Sequence, residues 1–526
     1  MGLACIRTRL QHRKARNETY QWDRLPFEVR LLILEALIQH QRCSSKSKPA
    51  VAKPDNTLAT TLDGGPAGYA SVCREWRAVF EKNIFHRLVL HQQDLEEFGN
   101  LVRFQKELVK HIWLRIELDL YTCLTCREGE NKLMKRKNND TIKQAIYKLF
   151  SILSSWEEHH SRNNRGLTLE ISIHSPSDSQ HHFQDHRIHA VDDCVEPTQD
   201  FGGTVIYDYI HGWDNRRRVH SLRLSSIFSL FGHPVDVRFR QKFPSVSVVK
   251  HLLIRRQTRR KLWPTTLQQI LKRLPKLESL YYEPWRQLSR SLRETYDEGY
   301  TTTFSNVVPN TLTNLILFED FNEDFIFANM KERGHNGERE RICCPALGAV
   351  LAQRSLSHEN LSASFLIDAK DFLKACPPGG IWPKLTSLAL TSPLLSSNSS
   401  LEDINNLVLA AASAAYKMPK LQTMELWNGG KRHAFLFRYH TTDNHTTISW
   451  HGTWNLNLKP HVIEAWREVA LKYAAQELRI EKGKILDCNI INSHGAAIHQ
   501  LKLKIQVVHP VSLSQIRGEA ENYFPR

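Results

Sequence analysis

The sequence predicts an α/β protein in three parts: an N-terminal helical module, a long body that forms an irregular solenoid of strands and helices, and a C-terminal α+β cap. Two patterns support this. Apolar residues recur at helical spacing near the N-terminus, whereas short alternating apolar segments recur through the body. A chain of 526 residues, 41% of them hydrophobic, can supply cores for several domains. We place the module at residues 20–100, the body at 105–430 and the cap at 431–510.

Composition limits the cellular setting. The 71 basic residues exceed the 55 acidic ones by 16, which favours acidic partners only weakly over this length. The ten cysteines are scattered rather than arranged as a disulfide framework, so we expect reduced thiols. The longest apolar run, at 407–416, is far shorter than the roughly 20 residues that cross a bilayer. We therefore expect a cytoplasmic or nuclear protein without a membrane span.

The first helix carries more apolar surface than one core needs. It begins in the stretch WDRLPFEVRLLILEAL at 22–37, where Pro26 suits the first turn and Asp23 could cap it. One apolar stripe follows helical spacing at Val29, Leu32, Ile33, Ala36 and Leu37, and a second at Phe27, Leu31, Leu34 and Ile38. A helix that is apolar on two faces must be covered twice, either by the rest of this chain or by another protein.

A second helical stretch, YASVCREWRAVF at 69–80, follows. Its apolar residues again have helical spacing, at Tyr69, Val72, Cys73, Trp76 and Phe80. Two or three such helices make a unit too small to bury every apolar side chain. Part of its surface is therefore expected to be available to a partner.

The segments LPFEVRLLIL and VCREW together resemble the F-box, the helical module that docks substrate receptors onto the Skp adaptor of Skp–cullin–F-box ubiquitin ligases. The wider pattern through residue 100 is similar to a group of F-box-like proteins of filamentous fungi. An insert rich in Ser, Pro and Lys at 39–68 departs from the family and predicts a flexible loop. The resemblance implies adaptor contacts from Leu25, Pro26, Val29, Leu32, Ile33, Tyr69, Val72, Cys73 and Trp76.

The body carries repeated strand signals. Segments at 111–120 and 166–173 alternate apolar and polar residues. An L-x-x-L-x-L-like pattern then recurs around Leu222, Leu252, Leu280, Leu315, Leu388 and Met424, with an interval of 73 residues between Leu315 and Leu388. This pattern resembles leucine-rich repeats, and the helices expected at 262–274 and 401–418 would lie on their outer side. The alternative is an ordinary α+β domain whose strands follow Pro-Lys turns.

The C-terminal part changes character after Gly429. The segments AFLFRY and TTISW predict a β-hairpin, and residues 460–475 predict an amphipathic helix. Strands are expected at LRI and LKLKIQVV, which would complete the cap.

Two clusters have residue types found in chemical sites. Cys123 and Cys126 have the spacing of half a zinc site, and His159, His160, His181, His182 and Cys194 could supply ligands, but no second close pair exists. We therefore predict two thiols on a turn and no metal or other cofactor. The segment HSPSDSQHH at 174–182 gathers Ser, Asp and His, but the chain lacks a G-x-S-x-G elbow, so we predict a solvated loop and no enzyme activity.

Basic clusters at 7–16, 135–137, 216–218 and 255–261 could bind nucleic acid, but no known nucleic-acid-binding motif accompanies them. The sequence and the resemblance together predict a substrate receptor. The helical module would bind a Skp-type adaptor and the cullin ligase core, and the body would bind a target protein. The alternative is a basic scaffold or nucleic-acid-associated protein without ligase assembly.

Overall fold

A computed structural model of the chain describes residues 22, 25–44, 66–102, 104–156, 166–186, 207–215, 217–239, 243–333, 341–474 and 477–521. The chain divides into two compact units, Met1–Leu88 and Val89–Arg526. Most of the predicted flexible insert, and the basic cluster at 7–16, lie outside the described residues. Among the described helices, none is both long enough and apolar enough to cross a membrane.

The described part of the first unit is helical: α1 (Phe27–Ser44), α2 (Pro66–Ala70) and α3 (Arg74–His86). The helix α1 begins directly after Pro26, whose carbonyl accepts from the amides of Val29 and Arg30, as expected for proline at a helix start. Four aromatic rings pack against one another across the unit, with neighbouring centroids 5.1–5.8 Å apart; they belong to Trp22, Tyr69, Trp76 and Phe80. The side chains of Leu34 and Phe80 are fully buried.

The second unit is built on one large sheet. The chain's strands are β1 (Arg87–His91), β2 (His111–Glu117), β3 (Leu167–His174), β4 (Trp213–Asp214), β5 (Arg217–Arg218), β6 (Val249–Ile254), β7 (Ser279–Tyr282), β8 (Asn314–Phe318), β9 (Asn360–Ser364), β10 (Ser387–Thr391), β11 (Thr423–Gly430), β12 (His433–Thr441), β13 (Thr446–Gly452) and β14 (Leu478–Lys482). All except β4 and β5, which pair with each other, lie side by side in chain order in a twelve-stranded sheet.

Helices connect these strands. They are α4 (Leu95–Leu101), α5 (Lys132–Ser154), α6 (Leu224–Phe231), α7 (Pro264–Leu271), α8 (Arg290–Asn306), α9 (Glu323–Arg333), α10 (Pro345–Arg354), α11 (Ala369–Lys374), α12 (Leu401–Ala415), α13 (Pro460–Ala474), α14 (His494–Leu501) and α15 (Pro510–Glu521). The strands β8, β9 and β10 are buried at nearly every position. Both faces of the sheet are therefore covered there, as is usual for parallel sheets.

The prediction of a leucine-rich-repeat-like solenoid with a separate cap is wrong. Within the large sheet, the strands from β2 to β11 are parallel. The strands β11, β12 and β13 pair antiparallel and β14 pairs parallel with β13, so the segments assigned to a cap extend the same sheet. The fold is an α/β fold with a mostly parallel twelve-stranded sheet. Leucine periodicity identified buried parallel strands, which solenoids and other α/β sheets share.

Individual elements explain the error. The hairpin of β12 and β13 is confirmed, as are α7, α12 and α13. The strand expected at Leu222 is wrong, since that residue precedes α6, and LKLKIQVV contains no strand. The strand β9, with the sequence NLSAS, was missed because its small polar residues carry no apolar signal; it fills the long interval after Leu315.

The C-terminal segment folds back over the carboxyl ends of the central parallel strands. The helices α14 and α15 contribute Ala497, Ile498, Leu501 and Ile516 to a core with Phe318, Phe365 and Trp427. A second core groups Phe183, Trp285 and Phe325 with residues of α6. The carboxyl edge of the sheet therefore carries helices beyond those that connect the strands.

Candidate functional site

The first unit exposes several large apolar side chains. Six are exposed: Leu25, Phe27, Val29, Leu32, Ile33 and Val72, which we name the apolar face. Leu32 has the largest exposed fraction, 64%. Pro26 and Cys73 are exposed beside them. Seven of the nine residues that the resemblance assigns to adaptor docking are therefore accessible in this unit.

The other two, Tyr69 and Trp76, are only partly exposed because they belong to the aromatic cluster of the unit's own core. That cluster is fixed by polar contacts at its edge. The indole of Trp22 donates to Glu75 at 2.9 Å, and Arg30 pairs with the same carboxylate at 3.2 Å. Sequence periodicity could not separate these two roles, because core and surface apolar residues have the same spacing on a short helix.

The second unit has a cleft of about 1030 Å³ where β8, β9, β10 and β11 end. Its apolar wall comes from Phe321, Phe327, Met330, Phe365 and Trp454. Ligand sites of open α/β sheets commonly lie at the carboxyl ends of parallel strands. We name this feature the carboxyl-edge cleft.

Charges of both signs line the carboxyl-edge cleft. On its inner wall, the Arg341 guanidinium bonds to Asp297 at 2.5 Å and lies 3.3 Å from Glu319. Burial raises the pKa of the Asp297 carboxyl to about 6, although Arg341 opposes this change. Arg286 pairs with Glu319 at 2.9 Å and lies over the Phe321 ring. The inner wall therefore has a guanidinium–carboxylate cluster beside aromatic surface.

The rim of the cleft combines exposed cations with partly exposed acids. Lys431 and Arg432 are exposed, and Glu323 accepts from the amide of Lys431 at 2.5 Å. Arg432 and Phe365 both have positive φ, +61° in each case. Bulky residues rarely adopt this conformation outside functional or strained turns. The carboxyl-edge cleft therefore places aromatic surface beside charges of both signs.

The basic run RRQTRRK at 255–261 does not form a surface patch. Its four arginines follow β6 directly and are all buried. Arg255 bonds to Glu170 at 2.5 Å, and Arg256 bonds to Asp320 at 2.5 Å and to both oxygens of Glu519. These arginines serve as an internal ion-pair network rather than a phosphate-binding face.

The prediction of a solvated loop at 174–182 is wrong for its serines and aspartate. Ser175, Ser177 and Asp178 are almost completely buried. The two hydroxyls donate to the backbone carbonyls of Asp119 and Tyr121, and Asp178 accepts from the amide of Ser175. These hydroxyls bond to main-chain oxygen and not to an imidazole, so the arrangement is not a hydrolytic triad.

Cys123 and Cys126 lie on a short turn after β2, and the structure brings His181 and His182 next to them. A third imidazole, that of His211, joins the group. His159, His160 and Cys194 lie outside the described residues. Sequence reasoning missed His211 because it is an isolated histidine far along the chain, with no spacing signal.

No curated protein matches the chain significantly. The region that does match a family model contains β8 to β14 and every residue that lines the carboxyl-edge cleft except Arg286. Residues 307–509 of this chain are similar to a family of unknown function designated DUF6546.

Proposed function

We propose that this protein is a substrate-receptor subunit of a Skp–cullin–F-box ubiquitin ligase and supplies no catalytic group itself. The observation that carries the proposal is the apolar face of the first unit. Its exposed side chains coincide with most of the positions that the F-box resemblance assigns to the adaptor. Removal of the apolar face from water by a partner would stabilise the complex.

The target would bind the second unit at the carboxyl-edge cleft. Its aromatic wall, paired inner charges and cationic rim suit a peptide segment of a folded or disordered protein. Ubiquitin transfer would belong to the other ligase subunits. The receptor would act by raising the effective concentration of the target near them.

The alternative function, a basic scaffold that binds nucleic acid, has less support. Its strongest basic run, at 255–261, has buried and paired arginines that cannot reach phosphates. Among the residues that the structure describes, the basic clusters that remain on the surface are short. The exposed part of one is Arg136 and Lys137 on α5.

The test is co-elution of the full-length protein with a purified Skp-type adaptor. We expect a stable complex with the wild type and none with Leu32→Glu/Ile33→Glu, since two buried carboxylates would remain without partners in the interface. The matched control is Leu471→Glu, because Leu471 on α13 is 63% exposed, close to the 64% of Leu32.

Circular dichroism must show that each variant is folded. A folded wild type that fails to bind the adaptor would refute the proposal, as would unchanged binding by the double variant. Retention of the protein on DNA that weakens as salt increases would instead favour the scaffold alternative.

A further inference from the structure

A compact group of sulfur and nitrogen donors lies in the second unit and shares no residue with the lining of the carboxyl-edge cleft. Its members are Cys123, Cys126, His181, His182 and His211. They form two overlapping sets, Cys123–His181–His211 and Cys126–His182–His211, and within each set the ligand atoms lie within 4.8 Å of one another. His211 is common to both sets.

The hydrogen bonds of the three imidazoles determine which nitrogen carries the proton. His211 Nδ1 bonds to the Asp208 carboxylate at 2.7 Å. His181 Nε2 lies 3.3 Å from the carbonyl of Tyr121, and His182 Nδ1 lies 3.2 Å from the carbonyl of His211. A carbonyl or carboxylate oxygen only accepts, so each of these nitrogens donates its proton and the other ring nitrogen has a lone pair. The lone pair of His182 Nε2 accepts from Arg127 Nε at 3.3 Å.

Two lone pairs remain for the cluster, those of His211 Nε2 and His181 Nδ1. His211 Nε2 is buried, in a side chain only 5% exposed, and has no hydrogen-bond partner among the described residues. His181 Nδ1 lies 3.4 Å from the Sγ of Cys123. A buried nitrogen without a partner is costly, so an unpaired one in a group that also holds two thiols requires an explanation.

The pattern is that of metal-ligating histidines. Such residues usually donate the second ring N–H to a carboxylate or a backbone carbonyl, which fixes the tautomer and the orientation of the ring. Asp208 gives His211 this support, and backbone carbonyls give it to His181 and His182. His211 and His181 therefore each have a supported ring and a second nitrogen that no N–H group of the described residues occupies, and both lie beside thiols, which packing alone does not explain.

Further contacts hold the ligand-bearing loops together. The indole of Trp213 donates to the carbonyl of His181 at 3.0 Å, and Arg218 donates to the carbonyl of His182 at 2.6 Å. Arg127 donates to the carbonyl of Ile210, next to His211. His181 itself has a φ of +52°, a strained conformation that places two consecutive imidazoles beside one turn.

We propose that this cluster binds one Zn²⁺ ion in a structural site. The ligands are the thiolates of Cys123 and Cys126, the Nε2 of His211, and one imidazole of the adjacent His181 and His182. Zinc prefers four sulfur and nitrogen ligands in tetrahedral geometry, at about 2.0–2.3 Å. Cys123 and Cys126 belong to different sets that share His211, so binding of one ion requires side-chain rotations that bring both thiolates to it.

The ion would join three segments of the chain that have little regular structure. Cys123 and Cys126 lie on a turn, His181 and His182 in a short 3₁₀ turn, and His211 in another. Such segments gain little stability from backbone hydrogen bonding, whereas a shared metal fixes them to one another. The site therefore acts as a cross-link within the α/β unit and carries no catalytic role.

The experiment uses the full-length protein, stripped with a chelator, dialysed with Zn²⁺ and analysed by mass spectrometry of its metal content. We expect about one zinc per chain in the wild type, and loss of zinc in Cys123→Ser, Cys126→Ser and His211→Ala. Cys376→Ser, at another partly buried free cysteine, is the control and should retain the metal.

Substitution by Co²⁺ gives a second readout that does not depend on stability. A tetrahedral site with two thiolates produces visible d–d bands and a sulfur-to-cobalt charge-transfer band. Cys123 is exposed, so Cys123→Ser should fold and still lose the charge-transfer intensity of one thiolate. Asp208→Asn should retain the site but weaken affinity about 10–100-fold, the expected effect of removing a carboxylate that orients a ligand.

Three results would overturn the proposal. The first is a folded wild type that binds neither Zn²⁺ nor Co²⁺. The second is full metal binding by folded His211→Ala or by the cysteine variants. The third is a Cys123–Cys126 disulfide in freshly purified protein prepared without reductant.

Discussion

At the residue scale, the most basic run of the sequence turns out to be internal. Residues 255–261 have the composition of a phosphate-binding patch, yet their arginines pair with carboxylates contributed by distant segments, such as Glu170 and Glu519. Burial would raise the pKa of the Asp320 carboxyl, but Arg256 and His494 outweigh it and hold that pKa at about 2. A run of basic residues therefore does not by itself indicate a surface patch, because carboxylates from distant segments can pair with the basic side chains in the interior.

The first residue-scale prediction concerns Glu519, which accepts two hydrogen bonds from Arg256 at 2.7 and 2.6 Å. Glu519→Gln leaves a buried guanidinium undercompensated and should lower the free energy of unfolding by about 3–5 kcal/mol. The control is Glu464→Gln, which breaks the exposed pair with Arg467 and should cost at most about 1 kcal/mol. Urea unfolding measures the free energy of both variants. If the two variants lost the same stability, the buried network would contribute no more than an exposed ion pair.

The second concerns His358, a buried imidazole whose Nδ1 lies 2.9 Å from the carbonyl of Arg354. Burial lowers the pKa of His358 to about 4. Because an unfolded histidine has a pKa of about 6.5, the unfolded chain binds more protons between about pH 4 and 6.5, so stability is lost as pH falls through this window. His358→Asn keeps the donor but cannot titrate.

We expect His358→Asn to reduce the loss of stability between pH 7 and pH 4 by an amount on the order of 2 kcal/mol. Urea unfolding at several pH values measures this slope. His461→Asn, at an exposed histidine, should leave the slope unchanged. An identical pH dependence in the wild type and His358→Asn would show that this imidazole does not resist protonation.

At the element scale, the C-terminal helices complete the carboxyl edge of the sheet. The buried carboxylate of Glu283 accepts from the amide of His509 at 2.7 Å and the hydroxyl of Ser512 at 2.5 Å. His494 on α14 bonds to Asp320 at 2.9 Å. These helices therefore satisfy polar groups that the parallel strands present at their ends, and they pack closely enough to restrict side-chain size.

Gly429, near the end of β11, tests this packing. A Cβ at that position would lie 2.5 Å from the Cβ of Ala497 on α14. Gly429→Ala should therefore displace α14 and lower stability by about 1–3 kcal/mol. Thermal unfolding measures the loss, and hydrogen exchange should show faster opening in α14.

The matched control is Gly518→Ala in α15, where an added Cβ meets nothing within 4 Å. It should be neutral or stabilising by up to about 1 kcal/mol, because alanine is the better helix former. If the two substitutions had the same effect, the close approach of β11 and α14 would not limit stability.

At the scale of the whole molecule, each of the two units has its own candidate binding surface. The first unit has one small core and an exposed apolar row, whereas the second has a continuous sheet with both an open cleft and a buried ion-pair network. The proposed receptor would use the first surface for the adaptor and the cleft for the target. The proposed zinc site would stabilise the irregular part of the second unit.

Much of the secondary structure followed from local pattern. Pro26 marked the start of α1. The helix expected at 401–418 begins at Leu401 as α12, where the Ser400 hydroxyl accepts from the amide of Asp403 at 3.0 Å. Strands with strong apolar alternation, such as β3, were also recognised. In contrast, β9 was missed, because a strand buried on both faces can be built from small polar residues whose packing is decided by distant neighbours.

The sequence by itself determined the positions of most strands and of several helices, the α/β class and the two apolar stripes of α1, because periodicity and capping act over a few residues. Only the tertiary structure decided that the strands form one sheet, that the arginines of 255–261 are buried, and that His211 joins Cys123 and Cys126. Those features depend on contacts between residues far apart in the chain, such as Arg256 with Glu519. Such contacts produce no regular spacing in the sequence, so a local pattern does not reveal them.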